Sequence, residues 1–278
     1  MTAPWTASWT EVADRVLVLR HPGLDVTSTL VIGQSAALVC DTLSSERQAA
    51  ALKAAAERVT SAPLLVLNTH HHFDHTFGNA AVATSADTVW GHVRCAEILR
   101  EHASRIAHEA AVEFPALAAE IAGTEILPPG REIHDAADLD LGGRTVQLRY
   151  FGRAHTDNDV VALVPDAGVT VAGDLVEVGA PPSFGDAWPL EWAPTLGSVL
   201  AAAEGTGCGT VFVPGHGDPV GVGFVWTQHA ELAELEWLCR EGHADGAPPA
   251  EVAARSPFGP GPSLVAVRRA YADLDGHL

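Results

Sequence analysis

No run of eighteen consecutive apolar residues occurs in the 278-residue chain, so no membrane-spanning helix is expected. From Met1 to Glu11 there is no basic stretch followed by an apolar one, so no secretory signal is expected either. The four cysteines, Cys40, Cys95, Cys208 and Cys239, are scattered and form no C-x-x-C pair. That usage suits a reducing compartment and excludes a disulfide framework. Positive charge is scarce: 16 basic residues face 35 acidic ones, for a net charge of −19. Such a surface excludes a protein that tracks nucleic-acid phosphates. Lys53 is the only lysine, a skew read as coding bias rather than function. Tyrosine is limited to Tyr150 and Tyr271. A soluble, cytoplasmic protein with a small-molecule substrate, without nucleic-acid or membrane partners, is the expectation. What the chain does have is apolar content, 47% against 18% charged, which is enough for a buried core.

Short apolar or alternating runs at 15–20, 27–32 and 36–40, broken at Pro22-Gly23 and Gly33, predict strands. Residues 44–59 begin with serine and carry their charges on one face, which predicts an amphipathic helix. Residues 64–67 are a continuous apolar strand running straight into a histidine cluster. Strand, helix and buried strand in that order predict an α/β layered fold. Residues 94–122 look like a helical insertion with a break at Pro115, acting as a lid or as a supporting pair. Strands follow at 146–151, 160–164 and 169–172, with a hairpin turn at 166–168. A helix at 194–204, a buried strand at 210–213 and helices at 231–241 and 264–274 complete the pattern. Residues 1–242 are expected to form one catalytic domain and 243–278 its C-terminal helical appendage. The last helix, with Arg268 and Arg269 on its polar side, could pack on the domain or on a second subunit of a homo-oligomer.

The segment from Asn68 to His75 carries most of the chemistry. His70, His72, Asp74 and His75 supply three imidazoles and a carboxylate within six residues. In extended backbone, residues two apart point the same way, so His70 and His72 can approach one ion together. Asp74 and His75, past the turn, can serve a second ion. Imidazole and carboxylate suit zinc, with iron and manganese as alternatives. A polar surface loop would explain the histidines too, but the position directly after a buried strand favours a site. One loop cannot fill two coordination spheres. His155, Asp174 and His216 each lie at a strand end close to a glycine, where the backbone can approach an ion closely.

Taken together, H-x-H-x-D-H, a later His, a Gly-Asp and a P-G-H-G resemble the metallo-β-lactamase superfamily, with the glyoxalase II-like full ligand set. The resemblance covers the chain to about residue 220. It implies an αβ/βα four-layer sandwich, the metallo-β-lactamase fold, with the metals at one edge. It also implies that His70, His72 and His155 hold a first ion and Asp74, His75 and His216 a second, with Asp174 bridging.

Departures from the family pattern refine this. Asn158 stands where glycine is usual, and asparagine tolerates left-handed backbone. Asp159 is either an acceptor orienting a ligand imidazole or a turn-stabilising residue. The bridging Asp174 points away from dedicated β-lactamases. The two tyrosines fit no acyl-homoserine lactonase pattern, and His72 argues against the flavin-coupled diiron branch. Phe184, Trp188 and Trp192 could line an apolar substrate pocket or pack their loop onto the core. His71 should point away from the ions, and Phe73 should anchor the loop by packing.

The activity implied is that of a dinuclear metal-dependent hydrolase using a metal-bridging hydroxide on an ester, thioester, lactone or related acyl bond. Two cations lower the pKa of a shared water from 15.7 towards about 7, with Asp74 or Asp174 accepting a proton. β-Lactam or phosphodiester hydrolysis, an iron-dependent persulfide dioxygenase and an inactive metal-stabilised scaffold are the alternatives.

Overall fold

The computed structural model describes residues 5–278. The first half of the chain runs through strands β1 (Thr10–Ala13), β2 (Val16–His21), β3 (Val26–Ile32) and β4 (Ala37–Cys40), helix α1 (Glu46–Ala56) and strand β5 (Leu64–Leu67). Two single-turn helices follow, α2 (Phe73–Thr76) and α3 (Asn79–Val82), then β6 (Val89–His92), α4 (Val93–Glu113) and α5 (Ala118–Ile121). The second half holds β7 (Arg131–Ile133), β8 (Ala136–Asp140), β9 (Thr145–Tyr150), β10 (Val160–Val164) and β11 (Val169–Glu177). It ends with α6 (Trp192–Thr206), β12 (Val211–His216), α7 (Val222–Ala244), α8 (Pro249–Ala253) and α9 (Pro260–Leu274).

The strands hydrogen-bond in the order β7-β6-β5-β4-β3-β12-β11-β10-β9-β8, with β2 on β3 and β1 on β2. β3 and β12 meet at a single pairing, Val26 with His216, so the strands form two leaves joined at one seam. Side chains alternate across each strand, and the alternation sets the layers. Val31, Leu38 and Leu67 of one leaf share a core with Leu148, Val160, Val171 and Val213 of the other. Leu30, Val39 and Val66 turn outward onto Ala49, Leu52 and Ala56 of α1. On the opposite outside, Val161, Leu163 and Ala172 meet Leu196 of α6, Leu232 of α7 and Val267 of α9. The result is the expected four-layer sandwich, each fully buried Leu or Val contributing about 1.5–3 kcal/mol.

The C-terminal segment packs against the preceding helices: Ala266, Val267 and Ala270 of α9 are fully buried among α6 and α7 residues. Arg268 is exposed, but Arg269 is turned inward, unlike the polar-side placement expected for both. No helix among the described residues is long and apolar enough to cross a membrane.

Two elements differ from expectation in a way that bears on the site. β11 continues past Ala172 to Glu177, with register irregularities on either side of Gly173. Asp174 therefore sits inside a bulged strand rather than after it, and a bulge re-aims a side chain. α7 begins nine residues before the expected 231 because Phe224 and Trp226 in its first turns are exposed, which hides the amphipathic pattern. The edge strands β1, β7 and β8 were not anticipated, being polar or partly exposed and lacking an apolar run.

Candidate metal centre

Three strand ends and the bulged interior of a fourth strand deliver the seven anticipated side chains to one place. β5 ends at Leu67, and the chain bends through His70 and His72 before α2 carries Asp74 and His75. β11 supplies Asp174, β12 ends on His216, and His155 lies between β9 and β10. Ligand atoms of His70, His72, His155 and Asp174 form one group and those of Asp74, His75 and His216 a second. Asp174 stands between the groups. Its Oδ2 is 3.4 Å from His155 Nε2, 3.7 Å from His70 Nε2 and 3.3 Å from His216 Nε2. Its Oδ1 is 3.4 Å from His75 Nε2.

Close approach here demands glycine. A Cβ on Gly215 would lie 1.7 Å from Asp174 Oδ1, and one on Gly173 (φ +57°) would lie 2.8 Å from the Thr69 side chain.

Hydrogen bonds on the far side of four rings, His70, His72, His75 and His216, decide which nitrogen faces inward. His75 Nδ1 donates to Asp41 Oδ2 (2.9 Å), and His216 Nδ1 donates to the Leu24 carbonyl (2.8 Å). Thr69 donates to Asp41 through both its amide and its hydroxyl, so Thr69 Oγ1 accepts from His70 Nδ1 at 3.0 Å. His72 is reversed: its Nε2 donates to Asp186 at 3.1 Å, leaving Nδ1 inward. The inward nitrogens then confront one another, His155 Nε2 with His72 Nδ1 at 3.1 Å and His75 Nε2 with His216 Nε2 at 3.3 Å. His70 Nε2 and Asp174 Oδ1 are buried with no hydrogen-bond partner. Lone pairs facing lone pairs in a buried site are repulsive unless a proton or cation lies between them, so this donor set fits divalent ions.

The electrostatics agree with a site built for positive charge. Burial opposes charge on His72, yet Asp186, Asp74 and Asp174 carry its pKa up to about 9. Burial likewise opposes His216, which Asp174 and Asp74 raise to about 10. Asp174 is held well below the carboxylate range, burial being outweighed by His216, His75 and His70. His155, for which burial dominates, falls to about 4.

Several partners escaped the sequence reading. Asp41 directly follows an apolar strand, so the strand-end logic that found the ligands would have found it. Asp186 lies in a loop whose sequence signal is its aromatics, Phe184, Trp188 and Trp192. Glu177 Oε1 is 3.7 Å from His155 Nδ1 and accepts from the Ser183 amide at 2.8 Å. Asp159, by contrast, caps its own turn, accepting from Thr156 N (2.7 Å) and Oγ1 (2.8 Å), and orients no ligand imidazole. Asn158 does not adopt a positive φ. Its amide instead donates to His71 Nδ1 at 2.9 Å, and His71 Nε2 reaches Asp186 Oδ2 at 3.3 Å. His71 thus points away from the seven-residue cluster, as expected. The remaining histidines belong to no metal-capable group among the described residues.

A model of the metallo-β-lactamase superfamily matches residues 21–236. The chain belongs to this superfamily. A type 2 metallo-β-lactamase of Bacillus cereus is 28% identical over 93 residues, 32% of this chain and 35% of that protein. Among solved structures, a stereoselective inverting sec-alkylsulfatase of a Pseudomonas species superposes with a TM-score of 0.79 at 17% identity, over 98% of this chain. This chain spans about half (51%) of the alkylsulfatase's length. A metallo-β-lactamase of Pontibacter korlensis gives 0.67 at 17% identity, over 82% of this chain and 99% of that one.

In this superfamily member the cluster opens into a cavity of ≈ 740 Å³. Phe73, Ile106 and Phe114 form one side, and Val178, Ser183 and Asp186 the other. The 94–122 insertion is therefore a cavity wall, through the end of α4. Phe73 anchors its loop as expected, 5.9 Å from Phe77 and 5.6 Å from Phe114 between ring centroids. The aromatic loop after β11 turns its rings away from the cavity. Phe184 packs on Trp192 and Phe258, Trp192 donates to the Leu175 carbonyl, and Trp188 stacks under Arg153. These rings hold the loop down, and what the loop gives the site is Asp186.

Proposed function

We propose that this chain is a dinuclear metal-dependent hydrolase of an ester, thioester, lactone or related acyl bond. The observation that carries the reading is the set of imidazole nitrogens turned toward one another on either side of Asp174, with His70 Nε2 and Asp174 Oδ1 buried and unpartnered among them. His70, His72 and His155 would hold one ion, Asp74, His75 and His216 the other, and Asp174 both. Zinc is the ion that such a ligand set suits best. Two such ions would supply electrophilic polarisation of the scissile group and a water acidic enough to react at neutral pH.

The protein's own groups do the rest. Asp74, on the cavity wall with Oδ2 3.5 Å from His216 Nε2, is placed to hold a proton released as the water reacts and to return it to the leaving group. Phe73, Ile106 and Phe114 would take the apolar part of the substrate away from the scissile bond and exclude water there. A covalent intermediate is not needed. All four thiols are pushed above their ordinary pKa by burial, which removes the thiolate as nucleophile.

The test is a turnover panel on metal-quantified protein. A thioester, aryl ester, lactone, chromogenic cephalosporin, phosphodiester and sec-alkyl sulfate are each assayed with and without chelator. Chelator-sensitive turnover of an acyl substrate by protein carrying two ions per chain is expected. Turnover confined to the phosphodiester or the sulfate ester would overturn the acyl reading, and oxygen consumption by a single-iron protein would overturn hydrolysis altogether.

A further inference from the structure

Asp186, outside the seven-residue cluster, receives two imidazoles. His72 Nε2 lies 3.1 and 3.2 Å from its two oxygens, and His71 Nε2 lies 3.3 Å from Oδ2. Its side chain is 44% exposed and sits in a loop, so packing alone does not hold it. Arg269 grips the backbone beneath it. The guanidinium donates from Nη2 to the Asp186 carbonyl at 2.9 Å and from Nε to the Ala187 carbonyl at 2.5 Å. Arg269 stands on α9, whose neighbours Ala266, Val267 and Ala270 are fully buried, so its base is fixed in the core. α9 lies beyond residue 236, where the superfamily match ends.

We propose that Arg269 is a positioning residue for the metal centre, acting through Asp186. The planar fork takes two successive carbonyls at once, a geometry that lysine cannot reproduce. It thereby fixes where the Asp186 carboxylate stands. The carboxylate takes the Nε2 proton of His72 and leaves Nδ1 as the inward ligand atom. Asn158 and His71 brace the same carboxylate from the other side. The C-terminal segment 243–278, which we read as an appendage of the same domain, thus acquires a part in the site. This inference rests on the dinuclear reading above.

The test is a zinc titration of metal-free protein against a competing chelator, for the wild type, R269A, R269K, R268A, D186A and the double variant R269A/D186A. Far-UV circular dichroism and Tm report folding. Loss of an orienting partner costs about 10- to 100-fold in metal affinity, and D186A is expected to weaken one of the two equivalents by that range. R269A should weaken the same equivalent by a smaller factor. R269K should fall between it and the wild type, while R268A, which removes the same charge from the exposed neighbour, should change nothing. In the D186A background, R269A should have no further effect, because the path is already broken. Additive losses, an equal effect of R268A, or weakening of both equivalents alike would overturn the positioning role. A wild type that binds no pair of ions would overturn the dinuclear reading and this inference together, whereas two tight ions with R269A unaffected would overturn this inference alone.

Discussion

At the scale of single residues, the site depends on space as much as on ligands. Gly215→Ala would drive a methyl group onto Asp174 Oδ1, and overpacking costs typically about 1–3 kcal/mol. The expected result is a protein that still folds but holds fewer than two ions per chain, read by elemental analysis. Full metal occupancy in that variant would show that Asp174 is not the shared ligand. Asp41→Ala should weaken metal binding about 10- to 100-fold, because His75 loses the acceptor that fixes its tautomer; an unchanged zinc affinity would rule that out. The seven cluster residues could be read from spacing, since His70, His72, Asp74 and His75 crowd into one motif after β5, while His155, Asp174 and His216 each stand close to a glycine. Asp186 could not, because nothing local ties a loop aspartate to histidines 114 and 115 positions earlier; only the folded chain places them within 3.3 Å.

Elements tell a similar story with a different cause of failure. β5 and β10 were readable to the residue because every position is apolar, β10 being buried throughout and β5 over its second half. β8, with its Ala-Ala-Asp-Leu-Asp sequence, was not, because an outer strand needs only Leu139 in the core. α4 was readable as a helix, but its role was not, since the face it shows to the cavity is formed only when its end meets Phe73. Phe114→Ala is expected to raise KM severalfold with little change in kcat, as fits a contact that binds ground state and transition state alike. A kcat loss equal to the loss in kcat/KM would instead place Phe114 in the stabilisation of the reacting centre.

The whole molecule stores its site charge as a pH dependence. In the metal-free protein the folded-state pKa of His72 is raised to about 9 and that of His216 to about 10. A raised imidazole stabilises the fold fully below about 6.5, its unfolded value, and that contribution disappears as pH climbs through the folded value. Glu177, pushed up to about 8 by burial and by Asp174, acts in the same direction. The chelated protein should therefore have a lower Tm at pH 9.5 than at pH 6.5; a higher Tm at pH 9.5 would contradict these charge pairings. Zinc should reverse the trend, because imidazoles must shed protons to bind it. The seam where Val26 meets His216 gives this a mechanical meaning. His70 and His75 come from one leaf, His216 from the other, and the chain between them is more than half the protein. Ions seated there would work as a removable staple between the leaves, stabilising the fold because only the folded chain brings both leaves' ligands together, in a protein whose four buried cysteines remain unpaired.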